Sequence, residues 1–112
     1  MPQFRMIVHS RPLPGLEAEY NDWYQNVHLK DIVAIPGFVA AQRWRLAEAV
    51  SGQAPEPYMA VYEIEAESAQ QAKQALLDAA SAGRTPVAPV MDMDFTRAAI
   101  YAVSGERVDA EN

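Results

Sequence analysis

The chain has 112 residues, half of them hydrophobic, a formal net charge of −6 and no cysteine. Those values suit one compact domain rather than a disordered chain, and they exclude disulfides, thiolate nucleophiles and cysteine-ligated metals. The nine Lys and Arg residues form no basic run, so no nucleic-acid partner is expected. Met1 to Ser10 lacks the apolar stretch of a signal peptide, and no later run is long enough to cross a bilayer; no membrane partner and a cytoplasmic location are expected.

Phe4 to Ser10 is short, apolar and β-branched, and it reads as a strand buried on both faces. Pro14-Gly15 marks a turn, and Glu17 and Glu19 suit the start of a helix running to about Lys30, or as far as Ala34. At about 100° per residue, Leu16, Tyr20, Trp23, Tyr24 and Val27 share one face of it, with His28 at the edge of that face. On one straight helix Asp31 would project into the apolar side, a costly place for a lone carboxylate. The helix is therefore expected to break near Leu29-Lys30, with Asp31 capping a short last turn through Ile32, Val33 and Ala34. Pro36-Gly37 ends it.

Phe38 to Leu46 alternates, which places Phe38, Ala40, Gln42, Trp44 and Leu46 on one face and Val39, Ala41, Arg43 and Arg45 on the other. Ser51-Gly52 and Pro55-Glu56-Pro57 form a polar loop. Tyr58 to Glu65 is the third strand. Ser68 caps a second helix closed by Gly83, whose apolar stripe is Ala69, Ala72, Leu76 and Ala79. Pro86 and Pro89 keep residues 84–94 irregular, Phe95 to Val103 is the last strand, and residues 105–112 form a solvated tail after a single domain spanning 1–104. The order β-α-β-β-α-β is a ferredoxin-like α+β fold, a four-stranded antiparallel sheet with two helices on one face. The strands carry apolar groups on both faces, so the bare sheet face is expected to meet a second copy, giving a homodimer.

A titratable imidazole beside aromatic rings suits general acid–base chemistry, and a core-edge histidine satisfying a hydrogen bond fits the same pattern. His28 is the catalytic candidate, with Tyr24 and Tyr62 as hydrogen-bond donors to a developing oxyanion. Trp23, Phe38 and Trp44 are candidate walls for a planar small-molecule ligand, and Asp31 is counted with them. His9, at the end of the first strand, is explained as well by an edge hydrogen bond. Neither histidine has metal-ligand spacing, and Asp92 and Asp94 are too few for a calcium loop, so no metal is expected.

The run W-Y-x-x-V-H-x-x-D from Trp23, the following I-P-G-F and the later R-W-R-L resemble the EthD-like branch of the dimeric α/β-barrel superfamily, as does P-Y-M-A-V-Y-E-I. The resemblance covers Phe4 to Val103. It implies two ferredoxin-like protomers joined through their sheets, and it carries the family's helix histidine onto His28; here Leu29-Lys30 stands where the family often has a small residue and proline. Characterised members include muconolactone-type isomerases, polyketide cyclases and haem-degrading monooxygenases. The expected activity is cofactor-independent proton transfer on a carbonyl-containing hydrophobic or aromatic-derived substrate, of isomerase, lyase or cyclase type. The alternative is a non-catalytic dimer that binds a hydrophobic small molecule or supports a partner enzyme. A haem-binding member is the minor alternative, since no arginine cluster awaits the propionates, and no cofactor is expected.

Overall fold

The computed structural model describes residues 1–111. Strand β1 (Gln3–Ser10) alternates as its sequence allows: Phe4, Met6, Val8 and Ser10 are buried, whereas Arg5, Ile7 and His9 are only partly covered. The strand is thus buried on one face rather than both, because helices cover one face only.

Helix α1 (Glu17–Trp23) begins with Glu17 and Glu19 in its first turn, where carboxylates oppose the positive helix end. It continues without a break through a π turn (Tyr24–His28) into α2 (Leu29–Val33). The expected break at Leu29-Lys30 does not occur: His28 and Leu29 both keep helical backbone angles, and Asp31 makes no capping bond. The conflict that suggested a break is resolved by the π turn, which admits one extra residue and so turns everything after it back by about 100°. Leu29 and Ile32 are therefore buried and Asp31 is half-buried at the flank, while Val27, expected on the apolar face, is exposed.

Gly37 turns the chain into β2 (Phe38–Arg45) with φ of +91°, and a Cβ at this position would lie 2.7 Å from the Glu65 carbonyl oxygen. The same approach lets Glu65 N donate to Gly37 O at 2.8 Å. Only glycine fits there. Strand β3 (Tyr58–Glu65) is followed by α3 (Ala69–Ser81), whose first turn is capped by Ser68 Oγ accepting from Gln71 N at 3.0 Å. Of the expected α3 stripe, Ala72 and Ala79 are buried and Leu76 is half-buried, whereas Ala69 at the helix start is exposed. Residues 84–94 are irregular apart from a bridge between Met91 and Pro12. Phe95 belongs to a 3₁₀ turn (Met93–Phe95), so the last strand, β4 (Arg97–Ala102), starts two residues later than expected.

The strands form one antiparallel sheet in the order β2-β3-β1-β4, with the helices on one face: the ferredoxin-like arrangement. A bulge between Phe38 and Ala40 changes the register of β2: Phe38 pairs with Ile64, but Ala41, Arg43 and Arg45 then pair with Tyr62, Ala60 and Tyr58. One extra residue reverses side-chain parity. Phe38 thus points under the helices, while Trp44, expected beside it, lies on the other face and is 51% exposed. The bare face also carries Ile7, Met59, Val61 and Tyr101, with an Arg5–Glu63 ion pair among them. Among the described residues no helix is long and apolar enough to cross a membrane.

Candidate functional site

The π turn sets the geometry around His28. Leu29 N donates to Tyr24 O, five residues back, and the widened turn swings the imidazole inward until His28 is 8% exposed. Its ring stacks on Trp23 with centroids 4.5 Å apart and 24° between planes. Tyr24 meets the same ring edge-on at 5.0 Å and 90°. His28 was expected at the edge of the face, near a helix end; it lies inside a continuous helix. The sequence pattern could not show this, because a π turn leaves no mark in a period of 3.6.

Burial favours the neutral imidazole and lowers the His28 pKa below its ordinary 6.5, while the Asp31 charge opposes that shift in part. Its Nδ1 is buried with no hydrogen-bond partner. Tyr24 lies against His28 on one side and near Tyr62 on the other. Burial pushes Tyr24 up to about 12 and raises Tyr62 further, the nearby Tyr24 adding to the latter shift. The two hydroxyls are close enough to perturb one another, yet Tyr62 Oη is also left without a well-formed hydrogen bond. Both phenols stay protonated at neutral pH and can donate.

Four tyrosines converge here. Tyr20 and Tyr24 are one helical turn apart, and Tyr58 and Tyr62 share the inner face of β3; Tyr20 packs against both Tyr24 and Tyr58. Tyr20 Oη and Ser10 Oγ are joined by a 2.5 Å hydrogen bond under α1. Arg43 reaches into this cluster from β2, its guanidinium carbon 4.9 Å from the Tyr24 ring and 5.3 Å from that of Tyr58. Arg43 Nη2 donates to Asn21 Oδ1 at 2.7 Å.

The structure therefore brings together His28, Tyr24, Trp23, Asp31 and Tyr62 of the expected site. Phe38 is a core residue under the helices, and Trp44 stands on the far side of the sheet from His28, so these two walls do not line one pocket. Arg43, Tyr20 and Ser10 were not anticipated. The four-residue spacing of both tyrosine pairs was a readable signal for the cluster; the bulge that aims Arg43 inward was not. None of the three clearest grooves is lined by His28, Tyr24 or Tyr62.

No protein-family model and no curated protein matches the chain. Among solved structures it is similar to an ethyl tert-butyl ether D (EthD) family protein from Bacillus halodurans, at 19% identity and a TM-score of 0.55, over 96% of this chain and 100% of that one. An EthD-like protein from Ralstonia eutropha matches at 21% identity and a TM-score of 0.54, over 98% and 99%. A variant of MhuD with two manganese protoporphyrin IX molecules bound per active site matches at 20% identity and 0.55, over 96% and 100%. The chain shares its fold with these structures.

Proposed function

We propose that this protomer fold serves a small-molecule enzyme in which His28 moves a proton at a carbon beside a carbonyl, in an isomerase, lyase or cyclase type of reaction on a hydrophobic or aromatic-derived substrate. The supporting observation is a pair of orphaned polar atoms. Buried groups normally find partners, and leaving one unsatisfied costs about 1–3 kcal/mol. Of the three such side-chain atoms among the described residues, His28 Nδ1 and Tyr62 Oη flank the same Tyr24 ring. A carbonyl compound bound here would give the Tyr62 O–H an acceptor and set its acidic C–H beside the His28 imidazole.

In this mechanism the neutral His28 accepts the carbon-bound proton, since burial has already removed its own. Negative charge then develops on the carbonyl oxygen. Tyr62 or Tyr24 donates a hydrogen bond to it, an arrangement typically worth about 3–4 kcal/mol in a water-excluded site. The imidazolium, stabilised by Asp31, returns the proton to a different carbon or to a leaving group. Trp23, stacked on His28, supplies an apolar wall and fixes the ring plane. Two copies joined through their bare sheet faces are part of the reading.

The second reading, a non-catalytic dimer that holds a hydrophobic molecule or assists another enzyme, is favoured by one observation: Trp23 stacks on His28, and none of the three grooves described above is lined by it. The minor alternative, a haem-binding member, has the likeness to the MhuD variant in its support, while His28 lines none of those grooves.

The test is hydrogen–deuterium exchange, followed by NMR, at carbons next to the carbonyl in a panel of aryl and cyclic ketones. The native chain should accelerate exchange in at least one of them, and His28→Gln should lower that rate by about 10²–10⁴. Exchange unchanged in His28→Gln, with a reduced melting temperature, would assign His28 to packing and support the binding role.

A further inference from the structure

We infer that the groove between the α1 flank and the end of β2 is a carboxylate-binding site for a small aromatic acid, with Arg43 and Arg45 as the anion-recognising groups. The groove holds about 360 Å³ and is lined by Asn21, Gln25, Arg43, Trp44, Arg45 and Tyr58. It deepens the proposed function by naming a substrate class, and rests on that reading only in linking this groove to the His28 cluster.

The first observation is electrostatic. The chain carries fifteen acidic residues against nine basic ones, so an arginine here has acids in surplus to pair with. The ion pairs among the described residues use Arg5, Arg11 and Arg107. Arg43 and Arg45 sit two residues apart on the same face of an edge strand, line the same groove, and pair with no carboxylate among the described residues. Glu17, the acid at this end of α1, accepts from Tyr58 Oη at 3.1 Å instead. Two like charges side by side repel, and an anion between them would turn that repulsion into binding.

The second observation is geometric. Arg43 is held rather than mobile: Asn21 Oδ1 takes one Nη2 hydrogen, and the rings of Tyr20, Tyr24 and Tyr58 lie 5.5, 4.9 and 5.3 Å from its guanidinium carbon. A guanidinium has five N–H donors, and the bonds to Asn21 leave several for a fork-shaped acceptor. Tyr58, on the same face of the sheet as Arg43 and Arg45, borders the groove and offers flat apolar surface to a ring. The third observation is continuity. The Tyr24 ring lies 4.9 Å from Arg43 on one side and 5.0 Å from His28 on the other. The buried Tyr24 ring is thus the one side chain that stands between a carboxylate held at Arg43 and the imidazole.

Benzoate is the probe, with uncharged benzamide as its isosteric comparator. Titration followed by NMR should show saturable shifts of the Arg43 Nε–H with benzoate, and binding of benzamide weaker by about tenfold or more, the worth of charge-assisted hydrogen bonds. Arg43→Gln should weaken benzoate by a similar factor. Arg43→Lys keeps the charge without the fork and should recover part of it. Arg45→Gln, an exposed change that leaves the tyrosine cluster intact, should weaken benzoate several-fold and steepen no melting curve. Equal binding of benzoate and benzamide, or unchanged benzoate binding in both glutamine variants, would overturn the inference. Ketone exchange without benzoate binding overturns the groove alone; benzoate binding without ketone exchange upholds the groove and removes the catalytic reading.

Discussion

The two crossover connections of this fold cover the same sheet face in the same way, yet one half of the layer is closed and the other is loose. The first crossover carries Tyr20, Trp23, Tyr24, Leu29 and Ile32, and these fill the space over β2 and β3 until Tyr20 has no exposed surface. The second crossover, α3, offers Ala72, Ala75, Leu76 and Ala79. Alanines bring a helix near a sheet without filling the space beside it. A groove of about 780 Å³ remains between α3 and β4, bordered by Leu76, Leu77, Ala98 and Ile100, and Leu77 stays 48% exposed. Side-chain volume, rather than topology, decides which half is solid. The proposed acid–base residue, His28, and its neighbours Trp23 and Tyr24 lie in the solid half.

That contrast can be broken by substitution, and the largest effect should come from the closed half. Phe38→Ala removes a ring that is 3% exposed beneath α2 and should cost about 3–5 kcal/mol in a denaturant unfolding curve. A loss below 1 kcal/mol would show that the first crossover is no better packed than the second. Next are two glycines with positive φ, one in each half. Gly37→Ala meets both an unfavourable φ and the Glu65 carbonyl 2.7 Å away, whereas Gly83, at +73°, has nothing within 4 Å. Gly83→Ala should cost about 1 kcal/mol from backbone strain alone, and Gly37→Ala at least about twice that, read as the difference between their unfolding midpoints.

Tyr62→Phe sharpens the comparison from the other direction. It deletes a hydroxyl that has no partner, so the variant should be as stable as the native chain or about 1 kcal/mol more so. A marked destabilisation would mean that the hydroxyl is bonded, and that the orphaned pair behind the proposed chemistry does not exist. Smaller still is the pH effect of His28. Below its ordinary pKa of 6.5 the unfolded chain takes up a proton that the folded chain, with its lowered pKa, resists. The unfolded state then binds more protons, so stability should fall as pH drops from about 6.5 through the folded-state value, and His28→Gln should flatten that slope. Least of all, Leu77→Ala in the loose half should change stability by less than about 0.5 kcal/mol.

Much of the architecture was legible because the strands and helices show their periods over most of their length, with Pro36-Gly37, Ser68 and Gly83 marking their ends. The contact of His28 with Tyr24 was readable because residues four apart on a helix are neighbours, whereas its stacking on Trp23, five residues back, comes with the π turn. Two assignments failed for a shared physical reason. Val27 was placed by an unbroken period of 3.6, the period whose conflict with Asp31 suggested a helix break, and Trp44 by an unbroken period of 2. In both elements one additional residue resets the phase: the π turn at Tyr24–His28 and the bulge between Phe38 and Ala40. A hydrophobic pattern records the phase on either side of such a slip and nothing of the slip itself. Arg43 was missed because unbroken alternation set it on the face opposite Phe38, which was taken as a wall of the ligand pocket.

The pair of slips bears on how this chain is to be compared with its fold relatives at about 20% identity. Each slip is the size of a single codon. Removing one residue from 24–28 would return the helix to its ordinary winding and rotate His28 and everything after it by about 100° relative to the residues before; removing one from 38–40 would exchange Arg43 for its neighbours under the tyrosines. Neither deletion alters hydrophobic content, element order or loop length. An alignment drawn without gaps through these two places would therefore match core to core while pairing the histidine and the arginine with residues that face elsewhere. In a lineage that gains and loses single codons here, the contents of the site can be replaced while the scaffold stays the same.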